Sequence, residues 1–195
     1  MKRFAATTTV LALWLCAVVA PQAAKITTKA QADPAFGFKG LKTWAWSAGG
    51  AGDVFVARSS TDEPGPIKQR VAPVITAALA REIGLRGLAP AAAGSPDISL
   101  HYYLLVTVGS NAQLMGQFLP SVPEWGVPPF LTATQSLNMI TRGSLVLDVR
   151  STSLGQVVWR GVAQTDVDQA QSDAKRDSII RDAAHELVKR IPFKK

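Results

Sequence analysis

Two histidines, His101 and His185, and one cysteine, Cys16, are the residues best suited to metal or nucleophilic chemistry in this chain of 195 residues. A zinc site needs three or four convergent ligands, and nothing in the spacing of these residues suggests such a set. Cys16 lies inside an apolar N-terminal run. We therefore expect no metal and no cofactor, and we interpret both histidines as structural residues.

A serine-type triad is the most specific enzymatic chemistry for which the chain holds residues. It would have to be assembled in space from Ser144, His101 and Asp148, because the sequence has no Gly-x-Ser-x-Gly elbow. Ser144 and Asp148 are also the residue types that the solvated face of a strand carries. The glycine run at 49–52 lacks the lysine and the spacing of a phosphate loop. We therefore predict no catalytic residues, with an envelope hydrolase that uses His101 as the alternative.

The segment at 118–130 combines four prolines with the large apolar residues Phe118, Trp125 and Phe130. Proline at this density excludes regular helix and strand. Rigid aromatic residues often anchor recognition sites. We predict that Phe118, Trp125 and Phe130 contact a partner protein or a small apolar ligand. The alternative is that this loop folds back over a sheet edge or the end of the core.

The amino terminus has the pattern of a secretory signal peptide over residues 1–24. Lys2 and Arg3 precede an uncharged apolar run at 4–20, and small residues follow it. An uncleaved anchor is the competing interpretation, because 17 residues lie at the lower limit of about 17 to 25 for a membrane span. Lipidation of Cys16 would tether the protein, but Trp14 and Leu15 do not fit a lipoprotein motif. Cleavage would leave a chain with no cysteine and no disulfide.

Composition and charge describe one ordinary globular domain with a mildly basic surface. Apolar residues make up 47% of the chain and charged residues 18%. Lys and Arg total 21 against 14 acids, and removal of Lys2 and Arg3 leaves 19 − 14 = +5. Dispersed positive charge favours anionic envelope surfaces over nucleic acid. We expect an envelope protein or a small apolar ligand as partner, peripheral membrane association and no nucleic acid; the oligomeric state is not indicated.

Hydrophobic periodicity predicts four strands and two amphipathic helices after a flexible tether at 25–40. The strands are expected at 41–47, 97–108, 143–150 and 157–165, and the helices at 67–85 and 172–191. Two helices with one apolar stripe each can be buried together on one face of a sheet. The sequence therefore predicts an α+β two-layer sandwich over 41–195, with a mostly antiparallel four-stranded sheet in the order β-α-β-β-β-α.

The hairpin at 143–161 resembles the signature of a known bacterial family. The stretch 143–149, the turn at Gly155 and the stretch 157–161 are similar to the hairpin of the domain of unknown function 4136 family. Weaker matches lie at 43–46, 67–85, 96–97 and 101–102, so the resemblance covers 41–193. It implies an exported protein, often a lipoprotein of Gram-negative envelopes, with no established activity.

These observations predict an exported cell-envelope protein, periplasmic or attached to a membrane. We expect it to be a non-enzymatic domain that binds a partner or ligand. The alternatives are a hydrolase acting on cell-wall or lipid material and a structural lipoprotein tethered through Cys16.

Overall fold

The computed structural model describes residues 25–57, 63–92, 94–108, 141–167 and 170–193. They form an α+β fold, as the sequence predicts. In chain order its elements are β1 Thr27–Ala32, β2 Thr43–Trp46, β3 Gly52–Ala57, α1 Pro64–Leu85, β4 Ala89–Pro90, β5 Ile98–Val108, β6 Thr141–Ser151, β7 Val157–Asp166 and α2 Asp173–Arg190.

The strands belong to one mixed sheet. Within the described residues the sheet has seven strands in the order β1-β7-β6-β5-β2-β4, and β3 also pairs with β5. β1, β7, β6 and β5 are antiparallel neighbours, whereas β2 and β3 run parallel to β5. The prediction of a four-stranded, mostly antiparallel sheet is therefore wrong in strand number and in the direction of one half.

β2 and β3 lie end to end along the same edge of β5. The N–H of Ser47 donates to the carbonyl of Leu100 at 2.9 Å, and the N–H of Tyr102 donates to the carbonyl of Ala51 at 3.0 Å. These bonds continue the pairing across the interruption at 47–51. The segment between β2 and β3 is a tight turn within this edge, closed by the N–H of Gly50, which donates to the carbonyl of Ser47 at 2.9 Å. α1 then supplies the crossover that parallel pairing requires.

The region expected to be a flexible tether, 25–40, is held against the domain. Six residues of β1 pair antiparallel with β7, from Thr27 opposite Gln164 to Ala32 opposite Trp159. Phe38 is buried and packs edge-on against Phe36, with ring centroids 4.8 Å apart. The polar sequence of β1 carries no strand signal, because its pairing satisfies backbone groups of β7 and buries little apolar surface.

Both helices cover one face of the sheet, as predicted. The residues that α1 buries include Val71, Ile75, Leu79 and Ile83, and those that α2 buries include Ile179 and Leu187. The even-numbered residues of β5 and the odd-numbered residues of β6 between 145 and 149 face them. The opposite face holds a second, smaller apolar cluster. Each strand therefore presents alternate residues to two different environments.

Candidate functional site

His101 lies on the sheet face opposite the helices and is held from both ring nitrogens. Its Nε2 lies 3.2 Å from Oδ2 of Asp53, and its Nδ1 lies 3.2 Å from the carbonyl oxygen of Gly50. The ring of Tyr103 is 4.7 Å away, centroid to centroid. Burial raises the pKa of Tyr103, and the charge of Asp148 raises it further. His101 is thus positioned by β3 and by the turn that precedes it.

The structure does not assemble Ser144, His101 and Asp148 into a triad. Asp148 lies directly opposite His101, but Arg160 binds its carboxylate through Nε and Nη2, both at 2.6 Å. Ser144 lies four residues from Asp148 on the same strand, about 13 Å at about 3.3 Å per residue. The Ser144 hydroxyl accepts a bond from Gln164 Nε2 at 3.3 Å. Because Asp148 is the residue opposite His101, a hydroxyl about 13 Å further along the strand is out of reach of the imidazole.

A second histidine pair lies away from the sheet. His185 Nδ1 lies 2.9 Å from Oε2 of Glu82 on the outer side of the two helices. Among the described residues there is no group of three or more His, Cys, Asp or Glu side chains that could hold a metal ion. In the same part of the chain, no helix is both long enough and apolar enough to cross a membrane.

The predicted partner-binding residues Phe118, Trp125 and Phe130 lie outside the described residues, and so does the lipidation candidate Cys16. Their roles stay predictions.

A cavity of about 350 Å³ lies between the first halves of α1 and α2 and the adjoining ends of β5, β6 and β7. Its volume falls within the roughly 300 to 1,000 Å³ of small-molecule sites. Most of its lining is aliphatic. The apolar lining residues are Ile26, Ile67, Val71, Leu104, Val106, Leu145, Ala163, Val167, Ile179, Ile180 and Ala183.

The cavity exists because small residues face it from several elements. Gly143 on β6, Ala163 on β7 and Ala183 on α2 leave space where larger side chains would meet. Further down the sheet, the indole of Trp159 lies across Gly161 and occupies the space of a side chain there. Among the described residues, a Cβ at Gly143 would meet one atom within 4 Å, Val167 Cγ2 at 3.0 Å. The core is therefore filled at one end and open at the other.

The rim of the cavity is charged. Arg70 Nη1 lies 3.0 Å from Oδ1 of Asp177 and 3.6 Å from Oδ1 of Asp173. Arg176 Nη1 lies 3.0 Å from the same oxygen of Asp173. The two arginine side chains are 35% and 33% exposed, so they lie between the buried lining and solvent. The remaining polar lining residues are Thr141, Gln164 and Thr165. An apolar interior with a charged rim is complementary to an amphiphilic molecule.

Sequence reasoning did not predict this cavity. The available signal was a glycine at the start of a strong strand, which often marks a site of close approach, together with alanines on buried faces. Those residues are common in ordinary cores. The spacing of Gly143, Ala163 and Ala183 becomes informative only when the pairing of the strands is known.

Residues 28–193 match the family model described as "Domain of unknown function (DUF4136)". The chain belongs to this family. The resemblance seen in the sequence is confirmed, and the match begins within β1. No protein of curated function matches the chain.

Several solved structures resemble this member of the family at low identity. The PelC dodecamer from Paraburkholderia phytofirmans has 12% identity, a TM-score of 0.40 and coverage of 88% of this chain and 100% of that one. A PDZ domain protein from Parabacteroides distasonis has 15% identity, a TM-score of 0.45 and coverage of 89% and 37%. A minor lipoprotein from Acinetobacter baumannii has 8% identity, a TM-score of 0.29 and coverage of 71% and 87%.

Proposed function

We propose that this protein is an exported, non-enzymatic cell-envelope protein that binds a small apolar ligand in the cavity between its helices and its sheet. The observation that carries the proposal is the aliphatic cavity of about 350 Å³ with its charged rim. Export is supported by the signal-peptide pattern at 1–24. Ligand binding is the only activity that the described geometry favours.

The chemistry of the lining supports an apolar ligand over a bound polar molecule. An ordered water in a protein needs two to four polar partners, and side chains such as Val71, Leu145 and Ile179 offer none. Apolar groups that enter this space leave water and contact aliphatic surface, which is favourable at about 25 cal/mol for each Å² removed from water. The cavity therefore favours hydrocarbon.

A test is the binding of N-phenyl-1-naphthylamine, a neutral probe whose fluorescence increases in apolar surroundings. We expect saturable binding to the purified protein. Ala183→Phe places a ring in the cavity and should weaken binding at least tenfold. Ala77→Phe is the matched control, because Ala77 is exposed on the outer side of α1. Wild-type affinity in Ala183→Phe, with the fold intact by circular dichroism, would refute the proposal.

A further inference from the structure

We propose that the ligand is a single-chain anionic amphiphile, with its hydrocarbon chain in the cavity and its carboxylate bound by Arg70. This inference rests on the proposed function and adds the chemical class of the ligand.

Arg70 has donors to spare at the rim. A guanidinium group carries five N–H donors in a planar fork. Arg70 contacts both aspartates through Nη1 alone, and within the described part of the chain its Nε and Nη2 make no hydrogen bond. The Nε and Nη2 pair is one of the edges through which arginine binds a carboxylate with two parallel bonds. The unused edge is thus suited to a carboxylate.

The aspartates at the rim disfavour a cationic head group. Asp177 is bound by Arg70, and Asp173 lies between Arg70 and Arg176. Both carboxylates already have an arginine partner, so a cationic head group would gain little from their charge. The four charges sum to zero, so an incoming carboxylate meets no net repulsion while it gains the free edge of Arg70. The hydroxyls of Thr141 and Thr165, on the strand side of the cavity, are neutral.

Arg70 lies next to the aliphatic lining, where it could bind the head group of a ligand whose hydrocarbon chain occupies the cavity. Ile67 and Val71 line the cavity from the same helix, one turn before Arg70 and one residue after it. A carboxylate bound at the guanidinium therefore places the attached hydrocarbon next to aliphatic lining. The volume lies near the lower limit of small-molecule sites, which favours one chain over two.

The experiment compares oleate with oleyl alcohol, which has the same chain and a neutral head. Each ligand displaces N-phenyl-1-naphthylamine below its aggregation concentration. We expect oleate to bind the wild-type protein at least tenfold more tightly than the alcohol. Arg70→Met should remove this difference and leave the affinity for the alcohol within about twofold. Arg81→Met, which removes an exposed arginine of the same helix, should keep the difference.

The outcomes separate this inference from the proposed function. Equal affinities for oleate and oleyl alcohol in the wild type, with both lost in Ala183→Phe, would overturn the role of Arg70 and leave the cavity as an apolar site. Probe binding that is insensitive to Ala183→Phe would overturn both. Arg70→Lys keeps the positive charge without the fork, and it should lose most of the preference for oleate. Full preference in that variant would also contradict bidentate binding, and it serves as the test if Arg70→Met does not fold.

Discussion

Removing one partner of the Asp148–Arg160 ion pair should destabilise the protein strongly. The two side chains are 5% and 1% exposed, and both N–O distances in the bidentate pair are 2.6 Å. Arg160→Met keeps most of the aliphatic length and removes the guanidinium. Within the described residues, the carboxylate of Asp148 has no other hydrogen-bond partner, so the variant leaves a buried charge uncompensated.

The magnitude follows from burial. Breaking a buried pair costs about 3 to 5 kcal/mol, which for a domain of this size corresponds to a decrease in Tm of roughly 6 to 20 °C. The same two strands provide a matched exposed pair, Arg142 and Asp166, whose side chains are 31% and 61% exposed with a distance of 3.3 Å. Such a pair contributes about 0 to 1 kcal/mol. Arg142→Met should therefore change the free energy of unfolding only slightly.

The assay is urea unfolding monitored by tryptophan fluorescence. Trp159 directly precedes Arg160 on β7 and is buried, so its emission should change when the protein unfolds. The double variant Asp148→Val with Arg160→Met removes both charges and should be less destabilised than Arg160→Met alone. Equal losses in Arg160→Met and Arg142→Met would refute the reasoning, because the two pairs differ chiefly in burial. A double variant as unstable as the sum of the two single variants would show that the charges are not coupled.

Three further predictions concern packing and pH. Gly52→Ala should cost about 1 to 3 kcal/mol in urea unfolding, because its Cβ would overlap the ring of the opposite residue of β5, whereas Gly49→Ala has open space and should cost little; equal costs would contradict this. Ala183→Leu should raise the free energy of unfolding by about 0.5 to 2 kcal/mol by filling the cavity, and a decrease in thermal unfolding experiments would mean that the cavity is not available to the side chain. The pKa of Asp97 is held below its usual value by hydrogen bonds, of which the one from the backbone N–H of Lys42 has the largest effect. The stabilisation of the folded state by ionised Asp97 is therefore present above the unfolded-state pKa and is lost as pH falls through the lower folded-state pKa. In Asp97→Asn, Tm should fall less steeply with decreasing pH than in the wild type. An unchanged dependence of Tm on acid pH would exclude this role.

The sequence predicted those parts of the fold in which the pattern of side chains indicates which residues are buried and where the chain turns. β5 alternates along its length, the β6–β7 hairpin has a turn glycine at Gly155 with φ +68°, and both helices carry an apolar stripe. The sequence pattern did not indicate that β2 and β3 run parallel to β5, because alternation of apolar residues is the same in a parallel and an antiparallel strand. β1 was not predicted either, since it is held in the sheet chiefly by backbone hydrogen bonds, which do not depend on the side chains.

The candidate site was less predictable than the fold because it depends on contacts between distant residues. His101 was interpreted from the sequence as a structural residue, but its partner Asp53 lies 48 positions away and could not be identified. The cavity arises from what Gly143 and Ala163 lack, and an absent side chain produces no periodic pattern. The free edge of Arg70 likewise depends on where two aspartates of the second helix are placed.

The pairing of the first strand with the last one has a consequence for when the protein can fold. Thr27 and Gln164 are separated by 137 positions, so β1 must wait for almost the whole chain before it finds its neighbour. The parallel pairing of β2 and β3 also waits for α1 and β5. Contacts of such long range form slowly. In a chain that emerges from its amino end, β1 therefore stays unpaired until β7 is free, and this delay is compatible with the export that we propose, because an exported chain crosses the membrane before it folds.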